Sequence, residues 1–186
     1  MTESVPLIII DVQNAFNDPS WGNRNNPDAE TNMKSLLQAW RNTNRPVIFI
    51  QHVTQNINSL FYIASETSHF KHEVQPLPHE TIVQKNVNSA FIGTNLEEIL
   101  RKLNCPHVVI FGLTTNHCVE TTTRMAGNLG FSPILVSDAC ATFDRVCPNG
   151  KYYDAEVIHE MTLVNLHEEF ATILTTEALI KEVQHV

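Results

Sequence analysis

Short, continuous aliphatic runs alternate along the chain with longer segments in which apolar residues recur every three or four positions. A continuous apolar run that ends at a charged residue is typical of a strand buried on both faces of a parallel sheet. The run from Val5 to Ile10, which ends at Asp11, has this form. The same reasoning predicts strands over 5–10, 47–50, 81–85, 107–112 and 133–137, with a short strand near 170–174.

Helical spacing fills most of the intervals between these runs. The first helix follows Pro27-Asp28 and should end before Arg45-Pro46, because the residue preceding a proline disfavours helical geometry. Met33, Leu36, Leu37 and Trp40 mark this first helix. A second helix over 96–103 is predicted after a capping box of Thr94 and Glu97, and a third begins at a cap of Thr115 or Asn116 and stops at Gly130. Two more are predicted, one over 154–166 and one at the C-terminal end of the chain.

This order of elements predicts an α/β fold: a three-layer α/β/α, Rossmann-like domain with helices on both faces of a mainly parallel sheet. We expect one domain over 1–186, because 186 residues lie within the usual domain size. Residues 55–80 show weak periodicity. A long irregular stretch inside a compact domain predicts a binding loop or lid there.

Composition and charge then narrow the class of protein. Hydrophobic residues make up 42% and charged residues 17%, and no apolar run is long enough to span a membrane, which excludes disorder and membrane insertion. The net charge is −8 with scattered basic residues, so nucleic acid is not an expected partner. The start of the chain lacks a signal-peptide pattern, and its four cysteines form no C-x-x-C pair. We therefore expect a cytoplasmic protein with reduced thiols.

Three reactive side chains lie at the predicted carboxyl ends of strands, where ligands bind in this architecture. Asp11 follows the first strand, Lys85 ends the third, and Cys118 lies after the fourth in the first turn of a helix. Singly, they could be a turn residue, a solvated lysine and a core cysteine. Together they predict a nucleophile, an electrostatic partner and a proton shuttle. The helix N-terminus is expected to lower the pKa of the Cys118 thiol towards neutrality.

Four stretches of the chain resemble the isochorismatase-like cysteine hydrolases, a family that includes nicotinamidases and N-carbamoylsarcosine amidohydrolase. They follow one another in the family's order and cover nearly the whole chain. They are LIIIDVQNAF at 7–16, Lys85 followed by SAFIGTNL at 89–96, GLTTNHCVETTTRMA at 112–126, and SDACAT at 137–142.

The resemblance implies a six-stranded parallel sheet and a catalytic triad of Asp11, Lys85 and Cys118. It also implies a cis peptide bond between Leu113 and Thr114, and an oxyanion hole made by the backbone N–H groups of Thr114 and Cys118. Relatives that cleave a vinyl ether lack this cysteine, so the expected reaction is hydrolysis of a small amide or imide C–N bond. The reaction would proceed through a thioester, with no cofactor.

The segment after the second strand differs from that of the nicotinamidases. Those enzymes carry Asp-x-His with a further histidine as a metal motif, whereas this chain has Gln51-His52-Val53-Thr54. The carboxylate is missing, and the spacing of His52, His69, His72 and His79 matches no metal-binding pattern. We therefore predict that the protein binds no metal.

The substrate pocket is expected to be lined by Phe16, Trp21, His52 and Phe91, of which the two phenylalanines could equally be core aromatics. His117 is expected to be structural, because adjacent helix residues point about 100° apart. The predicted partners are a small-molecule amide and further copies of the chain in a dimer or larger homo-oligomer.

Two other functions remain open at this point. The chain could be a catalytically inactive, small-molecule-binding member of the same fold, because fold does not fix function. It could also be a redox-reactive cysteine protein, although no resolving cysteine is evident near Cys118 in the sequence.

Overall fold

Six parallel strands form the central sheet of the protein, which a computed structural model describes for residues 4–184. The strands of the chain are β1 (Leu7–Ile10), β2 (Val47–His52), β3 (Thr81–Lys85), β4 (His107–Leu113), β5 (Ser132–Ala141), β6 (Arg145–Val146), β7 (Tyr152–Tyr153) and β8 (Thr172–Leu174). The α-helices are α1 (Ala29–Asn42), α2 (Leu96–Lys102), α3 (Glu120–Asn128), α4 (Ala155–Leu166) and α5 (Thr176–Gln184).

The strand order in the sheet is β3-β2-β1-β4-β5-β8. Every neighbouring pair in this order is parallel, which confirms the predicted α/β class and the six-stranded sheet. All four residues of β1 are fully buried at the centre of the sheet. The helix α1 packs on α5, and α3 packs on α4, so helices flank the sheet.

Two strands continue at least two residues beyond their predicted ends. The strand β2 continues beyond Ile50 because its last residues pair with β3, which places His52 directly opposite Lys85. The strand β5 continues beyond Ser137 to Ala141, and its register against β4 shifts between Ile110 and Gly112. These extensions carry both strands further towards the end of the sheet that holds the predicted triad.

Two predicted helix caps are wrong. The α2 helix begins after Asn95, and no side chain caps it; Thr94 Oγ1 accepts from the Leu96 N–H at 3.3 Å but donates to the Ala90 carbonyl at 2.6 Å. Ahead of α3, a π-helical turn spans Thr115–Val119 and lacks a side-chain cap. The Thr115 and Asn116 side chains have tertiary partners instead, which a local capping pattern cannot reveal.

The irregular segment between β2 and β3 contains two short 3-10 turns, Glu66–Ser68 and His72–Val74. Backbone hydrogen bonds fasten it to the chain after β1: the Asn14 N–H donates to the His69 carbonyl, and the Lys71 N–H donates to the Val12 carbonyl, both at 2.9 Å. The segment is therefore anchored beside the carboxyl end of the sheet.

An antiparallel pair, β6 and β7, was not predicted, because two-residue strands show no hydrophobic period. Arg145 pairs with Tyr153 and Val146 with Tyr152, between the end of β5 and the start of α4. Within residues 4–184, no helix combines the length and the apolar character that crossing a membrane requires.

Candidate active site

Asp11 lies immediately after β1 in a left-handed backbone conformation, with φ of 51°. Non-glycine residues rarely adopt this region, and aspartate is among those that tolerate it. The adjacent strand β4 comes very close at this level: a Cβ on Gly112, whose φ is 144°, would lie 2.0 Å from the Ile10 carbonyl oxygen. Glycine at 112 therefore permits the close packing of β1 and β4 from which Asp11 projects.

The structure brings the three predicted catalytic side chains together. Lys85 Nζ lies 2.6 Å from Asp11 Oδ2 and 3.3 Å from Cys118 Sγ. The side chains of Lys85 and Asp11 are 0% and 1% exposed. A buried ion pair of this kind requires good geometry to offset desolvation, and it is weak evidence for a stabilising role. Because Lys85 also contacts the Cys118 sulfur, a catalytic role explains the ion pair better than a stabilising one.

Cys118 lies within the π-helical turn between β4 and α3 and is 9% exposed. Burial, together with the nearby Asp11 carboxylate, raises the pKa of its thiol to about 12, while Lys85 acts in the opposite direction. The expectation of a thiol pKa near neutrality is therefore wrong. The reason is that the thiol is removed from water and lies next to a carboxylate. At neutral pH the resting thiol is protonated.

One oxygen of the Asp11 carboxylate has no partner. Asp11 Oδ2 accepts from Lys85, whereas Oδ1 is buried without a hydrogen bond. Buried carboxylate oxygens are normally satisfied, so an orphaned one calls for an explanation. The ligand atoms of Asp11, His52 and Cys118 lie within 4.8 Å of one another, so this carboxylate is close to the protonated thiol.

His52 is a fourth member of the cluster. Its Nδ1 lies 3.0 Å from Lys85 Nζ. Because an ammonium group only donates, Nδ1 is the acceptor and Nε2 carries the proton of the neutral ring. Burial, and then the Lys85 charge, lower the pKa of His52, which keeps the ring neutral. The predicted pocket residue therefore contacts the triad itself.

Gln13 is a residue that the sequence analysis missed. It is fully buried, and its amide makes paired hydrogen bonds to the His52 backbone, accepting from its N–H at 2.8 Å and donating to its carbonyl at 2.9 Å. The same Nε2 donates to the Ser68 carbonyl at 2.7 Å. Gln13 thus joins the ends of β1 and β2 to the irregular segment. The feature of the sequence that could have identified Gln13 is its position two residues after Asp11, within the motif at 7–16.

The turn that carries Cys118 is held from both sides. The Thr115 hydroxyl lies 2.9 Å from Nδ1 of the buried His159 on α4. Thr142 Oγ1 donates to Asn116 Oδ1 at 2.5 Å. These partners come from distant parts of the chain, so no local pattern in the sequence could identify them.

The peptide bond between Leu113 and Thr114 is cis, as the resemblance implies. Thr114 precedes the turn, and its carbonyl accepts from the N–H groups of His117 at 3.1 Å and Val119 at 3.4 Å. His117 Nδ1 lies 3.3 Å from the Thr114 hydroxyl. Thr114 and Cys118, the residues expected to form the oxyanion hole, therefore lie on one compact turn.

An aromatic cluster adjoins the triad. The Phe16 ring lies 5.0 Å from that of Trp21 and 5.3 Å from that of Phe61, and Trp21 stacks at 5.5 Å on Phe143. Phe61 is also 5.0 Å from the His52 ring, which links the cluster to Lys85. Phe61 and Phe143 were not predicted, because they lie outside the motifs that mark the triad.

Phe91 does not join this cluster. Its ring stacks instead on Phe131 at 6.3 Å, and the Phe131 ring packs against the Arg101 guanidinium. Phe91 is buried among core residues beside α2 and so corrects the prediction that grouped it with Phe16 and Trp21.

A metal ion is a poor fit to the side chains at this site. Within the part of the chain that the structure describes, one group of three candidate ligands is found: Asp11, His52 and Cys118. The Lys85 ammonium lies 2.6–3.3 Å from an atom of each of them, so a positive charge already holds the position that a cation would need. His69, His72 and His79 do not belong to this group.

The site thus consists of a buried cysteine, lysine and aspartate at the carboxyl end of a parallel α/β sheet. Residues 6–178 match the model of the isochorismatase domain. The chain therefore belongs to the isochorismatase family of hydrolases.

Known proteins resemble this chain along nearly its whole length. An uncharacterized isochorismatase family protein of Bacillus subtilis (strain 168), YrdC, is 52% identical over 98% of this chain and 97% of its own. Nicotinamidase 3 of Arabidopsis thaliana is 30% identical, with 93% of this chain and 85% of its own aligned. A solved isochorismatase-family structure from Chromobacterium violaceum has a TM-score of 0.97 at 40% identity and covers 100% of this chain and 96% of its own.

Proposed function

We propose that this enzyme is a cysteine-dependent amidohydrolase that cleaves the C–N bond of a small amide or imide through a thioester on Cys118. The observation that carries the proposal is the arrangement of Lys85 between Asp11 and Cys118, with one Asp11 oxygen left without a partner. The similarity to a protein named a nicotinamidase supports an amide as the substrate.

The first half-reaction begins with a protonated thiol. The Cys118 proton passes to Asp11 Oδ1 as the sulfur attacks the amide carbon, and Lys85 stabilises the negative charges on both sides of this transfer. The tetrahedral oxyanion is stabilised by the backbone N–H groups of Thr114 and Cys118. Because burial and the Asp11 carboxylate raise the pKa of the resting thiol, the thiol is protonated before attack, and Asp11 is the base that accepts its proton.

The second half-reaction reuses the same carboxylate. Asp11 returns the proton to the leaving nitrogen, the C–N bond breaks, and the acyl group remains on the sulfur as a thioester. Asp11 then takes a proton from water as that water attacks the thioester carbonyl. It gives this proton to the Cys118 sulfur as the C–S bond breaks, so that the acid is released and both the thiol and the carboxylate are restored. One unpartnered oxygen therefore serves as base and then as acid in each half of the reaction.

A panel of small amides with ammonia detection tests the proposal. We expect release of ammonia by the wild-type enzyme, its loss in Cys118→Ala, and its retention in Cys147→Ala, which removes a thiol from the turn between β6 and β7. Circular dichroism should show the same fold in all three. Activity of Cys118→Ala near the wild-type level would contradict the covalent mechanism. Peroxide consumption without amide turnover would favour a redox role.

Assembly and location are also proposals. Val157, Met161 and Val164 form an exposed apolar stripe on α4, and a stripe along one helix can pack against its own copy about a two-fold axis. We expect light scattering to give at least a dimer and Met161→Glu to shift it towards the 21.0 kDa monomer. A cytoplasmic location would keep the four free thiols reduced, and cell fractionation tests it.

A further inference from the structure

Arg145, at the start of β6, carries a charge whose hydrogen-bonding capacity is largely unused. Its Nη1 donates to the Asp144 carbonyl at 3.1 Å, but Nε and Nη2 are shielded from solvent and have no partner. Guanidinium groups carry five N–H donors, and leaving charged donors buried without acceptors is costly. Burial lowers the pKa of Arg145, in keeping with this loss of solvation.

Other arginines of the protein are matched with acids. Arg24, Arg41, Arg101 and Arg124 each lie within 3.1 Å of a glutamate carboxylate. In residues 4–184 no carboxylate lies within ion-pairing distance of the Arg145 guanidinium. The neighbouring Asp144 carboxylate is already engaged: it accepts from the Tyr152 hydroxyl and from the Ala155 N–H.

The segment that carries Arg145 borders the triad. Thr142 hydrogen-bonds Asn116 in the turn that holds Cys118, and Phe143 stacks on Trp21 in the aromatic cluster. That cluster reaches His52 through Phe61, and His52 in turn contacts Lys85. The aromatic rings therefore lead to the Lys85 side of the triad, and segment 142–145 leads to the Cys118 side. Burial, and then the Arg145 charge, lower the pKa of His117, the residue next to the nucleophile.

We propose that Arg145 binds a carboxylate group of the substrate, so that the amide this enzyme hydrolyses is an acidic one. This inference rests on the proposed function. A carboxylate presents two coplanar oxygens, which match the parallel N–H donors of Nε and Nη2 in a bidentate pair. The Phe16 and Trp21 rings would cover the apolar part that separates the carboxylate from the amide.

Matched pairs of amides that differ only in this group provide the first test. Suitable probes are succinamate with succinamide, and 3-carbamoylbenzoate with benzene-1,3-dicarboxamide. We expect wild-type kcat/KM to be about tenfold or more higher for the acid of at least one pair, as a charge-assisted bidentate contact would give. In Arg145→Gln the preference should fall to about one, with kcat/KM for the neutral amide changed about threefold or less; Arg145→Lys should retain part of it.

Arg124→Gln is the matched control, because it removes an equal charge from α3, where the guanidinium already pairs with Glu120. It should keep the wild-type preference. Equal loss of both members of a pair in Arg145→Gln would assign Arg145 a structural role and overturn the inference. A wild-type enzyme without acid preference would also overturn it.

A second readout does not depend on turnover. Glutarate and benzene-1,3-dicarboxylate should protect Cys118 from iodoacetamide, measured by intact mass, and Arg145→Gln should weaken that protection about tenfold or more. Protection that depends on Arg145, in a protein that hydrolyses no amide, would support the carboxylate site and contradict the proposed function. Amide turnover with protection unaffected by Arg145→Gln would support the function and overturn the carboxylate site.

Discussion

Two lysine–carboxylate pairs lie close to the same irregular segment, one buried at the active site and one partly buried beside α1, and they differ in how many of their carboxylate oxygens have a hydrogen-bond partner. Lys71 Nζ lies 2.9 Å from Glu30 Oε1, and Arg24 binds both oxygens of Glu30 at 2.7 and 2.6 Å. Lys71 also hydrogen-bonds the Asn17 side chain. Every oxygen of Glu30 therefore has a partner, and the group stabilises the contact between α1 and the irregular segment.

The pair at the active site is built differently. Lys85 donates to one oxygen of Asp11, and the other Asp11 oxygen has no partner. The Lys85 ammonium also contacts Cys118 and His52. A carboxylate whose two oxygens both accept hydrogen bonds has no free position for a proton. A carboxylate with one unpartnered oxygen next to a thiol can accept the thiol proton. The comparison indicates that satisfaction of the acceptor, more than the presence of a lysine charge, distinguishes the catalytic pair from the structural one.

Removing the lysine charge of each pair in turn should give the largest difference in turnover between the two pairs. We expect Lys85→Met to lower turnover about a hundredfold or more, because the charge that stabilises the transferring proton and the sulfur is lost. It should also slow alkylation of Cys118 at a fixed pH, since Lys85 lowers the pKa of that thiol. Ammonia release and iodoacetamide kinetics measure these effects.

Lys71→Met is the matched control for this experiment. It should lower the free energy of unfolding, measured in urea, while leaving kcat within about threefold of the wild type. Turnover that falls as far in Lys71→Met as in Lys85→Met would remove the distinction between the two pairs.

A smaller effect is expected from acid. Burial raises the pKa of Glu30, but hydrogen bonds from Arg24 and Lys71 outweigh it and lower that pKa from 4.5 to about 2. Because the folded-state pKa is the lower one, the ionised carboxylate stabilises the fold above about pH 4.5, and this contribution is lost as the pH falls towards 2.

The loss should appear as a difference between the wild type and Glu30→Gln. The two unfolding free energies should differ by about 1 kcal/mol more at pH 6 than at pH 3, after allowance for partial solvent screening. Urea titrations at both pH values measure this. A difference that is the same at both values would show that the Glu30 charge does not stabilise the folded protein.

The smallest effect is expected from chelation. The Lys85 ammonium holds the position among Asp11, His52 and Cys118 that a cation would need, so prolonged treatment with a chelator should leave turnover unchanged. Metal analysis should find well below one equivalent per chain. Loss of activity that zinc or iron restores would contradict the prediction.

The sheet and the positions of Asp11, Lys85 and Cys118 could be predicted because continuous apolar runs mark buried parallel strands and motifs follow their ends. The raised pKa of the Cys118 thiol could not be predicted. It depends on how deeply the thiol is buried and how close it lies to Asp11, and both follow from the packing of β1 against β4 at Gly112. Gln13 and Phe143 make their contacts with distant segments of the chain. Such contacts leave no periodic trace in the sequence.

The thioester on Cys118 is the central claim, and rapid acid quenching during turnover of a hydrolysed amide tests it most directly. Intact-protein and peptide mass spectrometry should find the mass of the substrate less ammonia on Cys118, and added hydroxylamine should divert the acyl group to a hydroxamate. Both signals should be absent in Cys118→Ala. Turnover with neither signal, together with activity retained by Cys118→Ala, would contradict the account.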